Sequence, residues 1–323
     1  MCSVRVGVVG VGHLGMHHAR VYTEILNAQL VGVADVSEDR AHSIAEPFGV
    51  PCFTDVNALI ERTHPDALSI VVPTSAHFEV AKKAMEQGIN VLIEKPVTTS
   101  VSEAESLLKL ASKKDLILQV GHIERFNSAV QHVRQFIKDP YFIQTRRMGP
   151  FSPRINDVGV VLDLMIHDVD IVLSMMNSEL VSISAVGSSV RTEHEDIASA
   201  QLSFANGAMA QILVSRVSEK RQRTMEITEA ERYITVNYET QDVSVQRCVR
   251  QSGGNVVEVM EHPVFPKTEP LKMELQHFIS CVKDGKQPMV GIKDGKRALE
   301  VCVSVLKQIH DSQHVLKKEI PAS

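Results

Sequence analysis

Residues 4–15 read Val-Arg-Val-Gly-Val-Val-Gly-Val-Gly-His-Leu-Gly, and Asp35 follows twenty residues after the last of these glycines. The apolar run at 4–9 predicts a buried parallel strand, and residues 17–26 predict a helix. A second strand is predicted at 30–34, with Asp35 at its tip. This order of elements indicates a dinucleotide-binding βαβ unit: a strand, the G-x-G-x-x-G motif, a helix, a second strand and an acidic residue. The alternative is a βαβ unit that uses its glycines only for turns.

Each residue of the glycine loop has a physical role in that interpretation. Gly10 permits a tight turn, Gly12 lets the backbone approach a pyrophosphate, and Gly15 lets the helix pack closely on the strand. The helix start supplies free N–H groups and a partial positive charge. The predicted cofactor-binding loop therefore consists of Gly10, Val11, Gly12, His13, Leu14 and Gly15.

Asp35 decides the predicted cofactor. Its carboxylate can accept hydrogen bonds from the two ribose hydroxyls and would repel a 2′-phosphate, so NAD is favoured over NADP. Arg40 lies five residues further on and could meet such a phosphate. We expect Arg40 to be solvated on the next helix instead.

Composition limits the class of protein. The chain has 323 residues, which suits two domains, and 44% apolar with 23% charged residues is typical of a soluble globular protein. A net charge of -5 without a basic run gives no indication of nucleic-acid binding. No stretch is apolar enough for a membrane span, and no signal peptide precedes the strand at Val4. Five scattered cysteines without metal-ligand spacing predict a cytoplasmic location.

Strand and helix signals alternate through the first third of the chain, which predicts an α/β fold with a parallel, doubly wound sheet. Such sheets bind ligands beyond the carboxyl ends of their strands. The loops of interest are therefore 10–15, 73–77, 94–99 and 121–127, and Pro73, Thr74 and His77 are predicted to contact the cofactor.

The pattern changes near residue 122. A long apolar helix is predicted at 159–176, followed by seven strand-like runs between 180 and 260. Asn206-Gly207 predicts a type I′ hairpin between two of these runs. We therefore predict a Rossmann domain at 1–122 and an α+β domain with a large, mostly antiparallel open sheet at 123–323.

Three further motifs identify a family. Glu94-Lys-Pro96 follows one predicted strand, Gly121-His-Ile-Glu-Arg-Phe126 follows another, and Asp163-Leu-Met-Ile-His167 lies in the long helix. With the glycine loop, they make the chain resemble the Gfo/Idh/MocA oxidoreductases over nearly its whole length. The run from Gly121, together with Asp168 and Asp170, is most similar to the branch that oxidises nucleotide-linked amino sugars such as UDP-N-acetylglucosamine.

The resemblance implies hydride transfer between a sugar carbon and NAD. Oxidation of a secondary alcohol needs a base for the hydroxyl proton and a positive group beside the developing alkoxide. His167 is the predicted general acid/base, and Lys95 would hold the reacting oxygen. Asp163, four residues before His167, would orient the imidazole or bind a sugar hydroxyl. The Asp163/His167 spacing also suits metal ligands, but no third ligand is recognisable, so we predict no metal.

Other site residues follow from the same motifs. The Lys95–Pro96 peptide corresponds to a family position that is often cis, and Glu94 would lie beside the nicotinamide ribose or brace Lys95. His122 and Arg125 are predicted to bind substrate, and Arg154 could meet a diphosphate along with neighbouring arginines. The alternatives are a salt bridge at the domain junction for Arg125 and a solvated strand edge for Arg154.

Two other functions remain open at this stage: a dehydrogenase of a free polyol or inositol, and a non-catalytic NAD-binding regulator on the same fold. Retention of Lys95, Asp163 and His167 argues against the regulator. We also predict a homodimer or homotetramer that associates through the open sheet face, which was expected to carry Val214 and Ile227.

Overall fold

The computed structural model describes residues 3–152, 158–250 and 256–319. The chain divides into two units. The first comprises Met1–Phe126 and Thr268–Arg297, and the second comprises Asn127–Lys267 and Ala298–Ser323. The sequence-based boundary after residue 122 lies four residues before the end of the first segment, while the segment from Thr268 to Arg297 returns to the first unit.

The first unit contains a six-stranded parallel sheet. Its strands are β1 (Val4–Val9), β2 (Ala28–Ala34), β3 (Cys52–Phe53), β4 (Ala67–Ile70), β5 (Asn90–Glu94) and β6 (Leu118–Gly121). They lie in the order β3-β2-β1-β4-β5-β6, which is the strand order of dinucleotide-binding sheets. The expected α/β fold is confirmed.

The second unit contains an eight-stranded sheet in the order β14-β13-β12-β11-β7-β10-β9-β8. Only the β7–β10 pair is parallel among its described pairings. The strands are β7 (Phe142–Met148), β8 (Leu180–Ser188), β9 (Ile197–Phe204), β10 (Met209–Ser215), β11 (Gln222–Thr228), β12 (Arg232–Asn237), β13 (Asp242–Arg250) and β14 (Val256–Glu261). The predicted mostly antiparallel sheet is therefore confirmed.

Nine α-helices occur among the described residues. They are α1 (His13–Glu24), α2 (Glu38–Ala45), α3 (Val56–Thr63), α4 (Thr74–Glu86), α5 (Val101–Lys114), α6 (Ser128–Arg134), α7 (Ile166–Met175), α8 (Pro270–Asp284) and α9 (Ile292–Glu319). A π-helical segment, Val161–Met165, leads directly into α7. No described helix combines the length and apolarity needed to cross a bilayer.

The core of the first unit explains why α8 belongs to it. Val4, Val6 and Val8 of β1 are buried in the same cluster as Tyr22 of α1 and two residues of α8, Leu275 and Phe278. Parallel strands that are buried on both faces need apolar partners on each side. The late segment supplies one of these partners.

The core of the second unit corrects one expectation. Val214 and Ile227 are completely buried in a cluster with residues of α6, α7 and α9, rather than exposed on the open face. The opposite face carries polar side chains, and Gln144 donates to Gln211 there at 2.7 Å. Strand alternation defines two faces, but it does not say which one the helices cover.

The Asn206-Gly207 hairpin joins β9 and β10 as predicted, but its turn type is different. Gly207 has φ +84, whereas Asn206 is not among the described residues with positive φ. A type I′ turn needs positive φ at both positions. The Gly207 N–H donates to Phe204 O, and the Phe204 N–H donates to Ala208 O, as expected for a three-residue loop in which only the glycine is left-handed.

Candidate active site

The glycine loop has the geometry that a dinucleotide requires. Gly10 has φ +86, and a Cβ there would lie 2.6 Å from Val71 O. A Cβ on Gly15 would lie 1.9 Å from Gly10 O, which shows how closely α1 packs on the loop. At Gly12, by contrast, a Cβ would meet nothing within 4 Å. The open space at Gly12, in front of the first turn of α1, suits a pyrophosphate.

A cavity of about 660 Å³ adjoins this loop. Gly10, Gly12, Asp35 and Pro73, which were predicted to bind the cofactor, line it. Arg40, Thr54, Asp55 and Lys83 line it too. The last three of these residues were not recognised from the sequence, because α3 was not predicted and because Lys83 lies on an ordinary amphipathic helix.

Asp35 is buried and already holds several donors. Its Oδ2 accepts the Val11 N–H at 3.0 Å, and its Oδ1 accepts the Ser37 N–H at 3.0 Å. Arg40 Nη1 reaches Oδ1 at 3.2 Å. Arg40, which was expected to be solvated, is thus half-exposed but paired with Asp35. The Asp35 carboxylate fixes the glycine loop as well as facing the cavity.

The segment after β4 supplies backbone and a bracing histidine. Thr74 begins α4, with Pro73 as its N-cap. His77 is buried, with Nδ1 2.8 Å from Pro96 O and Nε2 2.9 Å from Val72 O. Burial lowers the pKa of His77. The ring therefore connects the two loops that follow β4 and β5, and direct contact of His77 with a cofactor stays a prediction.

Glu94 and Lys95 lie at the carboxyl end of β5, and the Lys95–Pro96 peptide is cis, as expected. His18 of α1 places Nε2 3.3 Å from Glu94 Oε1 and Nδ1 2.8 Å from Ser69 Oγ. Glu94 Oε2 accepts the Lys95 N–H at 3.2 Å. Burial opposes ionisation of Glu94, but the His18 and Lys95 interactions outweigh it and lower its pKa. Glu94 thereby braces the half-buried Lys95 against the helix that starts at the glycine loop.

A second buried acid, Glu274 of α8, lies near Glu94. Neither of its carboxylate oxygens has a hydrogen-bond partner among the described residues. Burial, together with the charge of Glu94, raises the pKa of Glu274 well above its ordinary value. Burial and the neighbouring Glu94 therefore both favour the protonated form of Glu274.

His122 and Arg125 follow β6 and are both buried. Arg125 Nη2 donates to Asp294 Oδ1 at 3.3 Å, so Arg125 takes part in an ion pair within the first unit. Binding of substrate by either residue stays a prediction. Arg154 lies outside the described residues.

In the second unit, Asp163 lies in the π-helical segment and His167 in the first turn of α7, and both are half-buried. The Ile166 N–H donates to Val161 O, five residues back. π-Helical turns occur frequently at functional sites. Asp163 lines a cavity of about 260 Å³ in this unit.

A buried ion pair fixes α7 beside this cavity. Arg147 of β7 donates to both carboxylate oxygens of Asp168, at 2.9 and 3.1 Å, and both side chains are buried. The Arg147 guanidinium also lies 5.1 Å from the centre of the Tyr238 ring. Asp168 follows His167 directly, so this bidentate pair sets where His167 can lie. No group of three or more described His, Cys, Asp or Glu residues is arranged to hold a metal.

A parallel sheet in dinucleotide-binding order, with an open glycine loop and an acid at the tip of β2, defines a Rossmann-type oxidoreductase. A family model described as "Oxidoreductase family, NAD-binding Rossmann fold" matches residues 4–122. A second, described as "GFO/IDH/MocA C-terminal domain", matches residues 120–234. The chain belongs to the Gfo/Idh/MocA family of oxidoreductases.

Characterised relatives extend over almost the whole chain. UDP-N-acetylglucosamine 3-dehydrogenase of Acidithiobacillus ferrooxidans is 35% identical to this chain. The alignment covers 94% of this chain and 97% of that enzyme. A crystal structure of that enzyme, GnnA, superimposes on this structure with a TM-score of 0.89. The superposition covers 96% of this chain and 99% of that chain. The NAD(+)-dependent scyllo-inositol 2-dehydrogenase of Bacillus subtilis is 28% identical, with 97% of this chain and 96% of the relative matched.

Proposed function

We propose that the protein is an NAD-dependent dehydrogenase that oxidises C3 of a nucleotide-linked amino sugar, such as UDP-N-acetylglucosamine, to a 3-keto sugar. The observation that carries this proposal is the 35% identity, over 94% of the chain, to a UDP-N-acetylglucosamine 3-dehydrogenase. The run from Gly121, together with Asp168 and Asp170, suggested this branch from the sequence and supports the same substrate.

In this proposal His167 takes the proton from the reacting hydroxyl. The Lys95 ammonium donates a hydrogen bond to the same oxygen and stabilises the negative charge that develops on it. Asp163 orients the imidazole or accepts a hydrogen bond from a neighbouring sugar hydroxyl. NAD, when bound, supplies the acceptor for the hydride. Glu94 positions Lys95 through the backbone contact described above.

The residues of the first unit suit NAD. Gly10, Val11, Gly12, His13, Leu14 and Gly15 would hold the pyrophosphate, and Asp35 the ribose hydroxyls. Asp35 carries a negative charge where NADP would place its 2′-phosphate, and that favours NAD. Arg40 compensates part of this charge, so we expect NADP to bind more weakly rather than to be excluded.

A single-turnover experiment tests the substrate. Enzyme at a concentration equal to that of NAD is mixed with UDP-N-acetylglucosamine, myo-inositol or glucose, and NADH absorbance is followed. We expect a burst with the nucleotide sugar only. A burst with myo-inositol but not with the nucleotide sugar would contradict the proposal and favour the second candidate, an inositol dehydrogenase, which the scyllo-inositol 2-dehydrogenase relative supports.

Lys95→Ala tests the mechanism and the regulator alternative together. We expect turnover to fall by about 1000-fold while NAD binding is unchanged, because the side chain acts on the reacting oxygen. Lys113→Ala, an exposed lysine of α5, is the matched control. Full turnover in Lys95→Ala would remove the assigned role, and an absence of turnover in the wild type with every sugar despite NAD binding would favour a regulator.

Two further expectations belong to this proposal. Self-association as a dimer or tetramer is predicted through the uncovered face of the eight-stranded sheet, and light scattering that gives a monomer mass would contradict it. A cytoplasmic location is predicted from the scattered cysteines, of which Cys52, Cys248 and Cys281 are free thiols.

A further inference from the structure

Three buried polar side chains meet beside the strand end that precedes Lys95. Glu94 is the last residue of β5, Ser69 lies on β4, and His18 lies in α1. All three side chains are buried, and all belong to the first unit. A buried polar group costs free energy unless it is paired. The reaction proposed above uses Glu94 but gives no role to His18 or Ser69.

The His18 imidazole connects the other two side chains. Its Nδ1 lies 2.8 Å from Ser69 Oγ, and its Nε2 lies 3.3 Å from Glu94 Oε1. No other described group hydrogen-bonds to Nε2. Because a carboxylate can only accept a hydrogen bond, we assign a hydrogen to Nε2 whether the ring is neutral or charged. The Ser69 hydroxyl can donate or accept at Nδ1, so it fits either state and fixes the orientation of the ring.

The Glu94 carboxylate is confined on its other sides. Gly121 is its cross-strand neighbour, and a Cβ there would lie 2.8 Å from Glu94 Cδ. Glu94 Oε2 accepts the Lys95 N–H at 3.2 Å. The backbone of Gly121, the imidazole of His18 and the N–H of Lys95 therefore leave the carboxylate little freedom to move.

The position of His18 along the chain connects this contact to the glycine loop. Helix α1 begins at His13, directly after Gly12, and His18 lies in its second turn. The helix whose start is predicted to face the pyrophosphate thus also carries the ring that contacts Glu94. Precise placement matters for a catalytic group, because a displacement of about 1 Å can cost about 100-fold in rate.

We propose that His18 is a positioning residue for Lys95: it holds the Glu94 carboxylate from α1, and the carboxylate holds the peptide N–H of Lys95. This inference rests on the proposed dehydrogenase function, in which the Lys95 ammonium contacts the reacting oxygen. His18 touches neither substrate nor cofactor in this arrangement. Its contribution is to keep Lys95 in register with the helix that begins at the cofactor loop.

Two amide variants of His18 separate positioning from packing. The asparagine amide lies as many bonds from Cβ as histidine Nδ1, so in His18→Asn it reaches Ser69 but not Glu94. The glutamine amide lies as far out as Nε2, so in His18→Gln it can donate to Glu94. We expect kcat to fall by about tenfold or more in His18→Asn and to remain close to wild type in His18→Gln. The dissociation constant of NAD should be unchanged in both variants.

The matched control is His42→Asn, which replaces an exposed histidine of α2 in the same unit and should leave kcat unchanged. Equal losses of kcat in His18→Asn and His18→Gln would overturn the inference, because they would show that the imidazole acts only by filling space. If His18→Asn folds poorly, Ser69→Ala takes its place. It keeps the imidazole but removes the partner of Nδ1, and kcat should fall severalfold.

A double-mutant cycle tests whether His18 acts through Glu94. Glu94→Ala should lower kcat by itself, because the Lys95 N–H loses its acceptor. In the Glu94→Ala background, His18→Asn should lower kcat no further, since residues that act through one contact have non-additive effects. Fully additive losses would overturn the inference.

Amide hydrogen exchange at Lys95, measured by NMR on the full chain without substrate, separates this inference from the proposed function. The Lys95 N–H should exchange about tenfold faster in His18→Asn than in wild type or His18→Gln. Wild-type exchange in His18→Asn would overturn the positioning role, whichever sugar is oxidised. If exchange changes as expected but no sugar is oxidised by wild type, the positioning role stands and the proposed function fails.

Discussion

The glycine loop of the first unit and the arginine-lined cavity of the second are built in different ways. The loop offers backbone groups of consecutive residues at the end of β1, and its shape depends on glycines that lack side chains. The cavity depends on long charged side chains from β7, the π-helical segment and β11, which are far apart in sequence. A backbone site can be recognised as a motif, whereas a side-chain site exists only once the strand register is known.

The two regions also treat buried carboxylates differently. In the second unit Asp168 and Asp196 are each paired with a buried arginine. In the first unit Glu274 is buried without a hydrogen-bond partner among the described residues, and its pKa is raised by burial and by the nearby Glu94. Replacing a buried carboxyl group by an amide should therefore have opposite effects on stability in the two units, and this gives direct ways to test the comparison.

The largest effect is expected at Asp168. Asp168→Asn leaves the buried Arg147 guanidinium without its counter-charge, which should lower the free energy of unfolding by about 3–5 kcal/mol. Asp242→Asn is the control, because its pair with Lys267 is exposed and should be worth about 1 kcal/mol or less. Urea unfolding of both variants measures the difference. Equal losses would mean that burial does not distinguish the two pairs.

Gly12→Ala should break the backbone site without unfolding it. A Cβ there meets no atom of the protein within 4 Å, but it would occupy the space predicted for the pyrophosphate. NAD affinity should fall by roughly 100-fold, about 2.8 kcal/mol, with an unchanged melting temperature. Gly149→Ala, where a Cβ is equally uncrowded, is the control and should bind NAD normally. Normal binding by Gly12→Ala would place the pyrophosphate elsewhere.

Asp35→Asn tests the role of the carboxylate charge at the same site, because asparagine is uncharged but similar in size to aspartate. NAD should bind about tenfold more weakly, since a charged acceptor for the ribose is worth about 1.4 kcal/mol more than a neutral one. NADP affinity should rise, because Arg40 is released from its carboxylate partner. Titration of both cofactors measures this, with the exposed Asp39→Asn as control. A parallel loss for both cofactors would instead indicate that Asp35 acts only by shaping the loop.

The smallest effect, and the one of opposite sign, is expected at Glu274. Its pKa is raised in the folded protein, so the folded state keeps a proton that the unfolded chain releases above about pH 4.3. Wild-type stability therefore falls as pH rises above this value, by at most about 1.4 kcal/mol per pH unit, until the folded-state pKa is passed. Glu274→Gln avoids this loss, so its melting temperature should exceed that of wild type by a few degrees at neutral pH and match it in acid.

Glu105→Gln is the control for this pH dependence. Glu105 is exposed, and its contact with Lys296 lowers its pKa. Its replacement should therefore slightly decrease stability at neutral pH, if it has any effect. A lower melting temperature for Glu274→Gln at neutral pH would show that the Glu274 carboxylate is ionised and paired.

Much of the first unit could be predicted from the sequence, because its signals are local. The glycine loop, the acid after β2 and the Glu94-Lys95-Pro96 turn are each defined by a few consecutive residues. Helix α3 was missed because it is only eight residues long and follows a strand of two residues. The link between His18 and Glu94 was also missed, since it joins two elements far apart in sequence, and His18 alone is an ordinary helix residue.

In the second unit the strands could be predicted, but their pairing order and the face that the helices cover could not. Alternation predicted seven strands between 180 and 260, where the structure has β8 to β14, yet it assigned Val214 and Ile227 to the uncovered face. Arg147 and Arg223 become neighbours only because β7 pairs with β11, a non-consecutive pairing that no local pattern contains. For this reason the sequence could indicate a sugar dehydrogenase without revealing that these two arginines are neighbours.

The return of α8 to the first unit bears on how the protein is made. Leu275 and Phe278 belong to the core around β1, so a ribosome that has released only residues 1–126 has not yet delivered a complete nucleotide-binding unit. Domains usually fold as they emerge, from the N-terminus onward. Here the first unit is expected to mature only after most of the second has been synthesised, which makes truncation after residue 126 a poor way to isolate it.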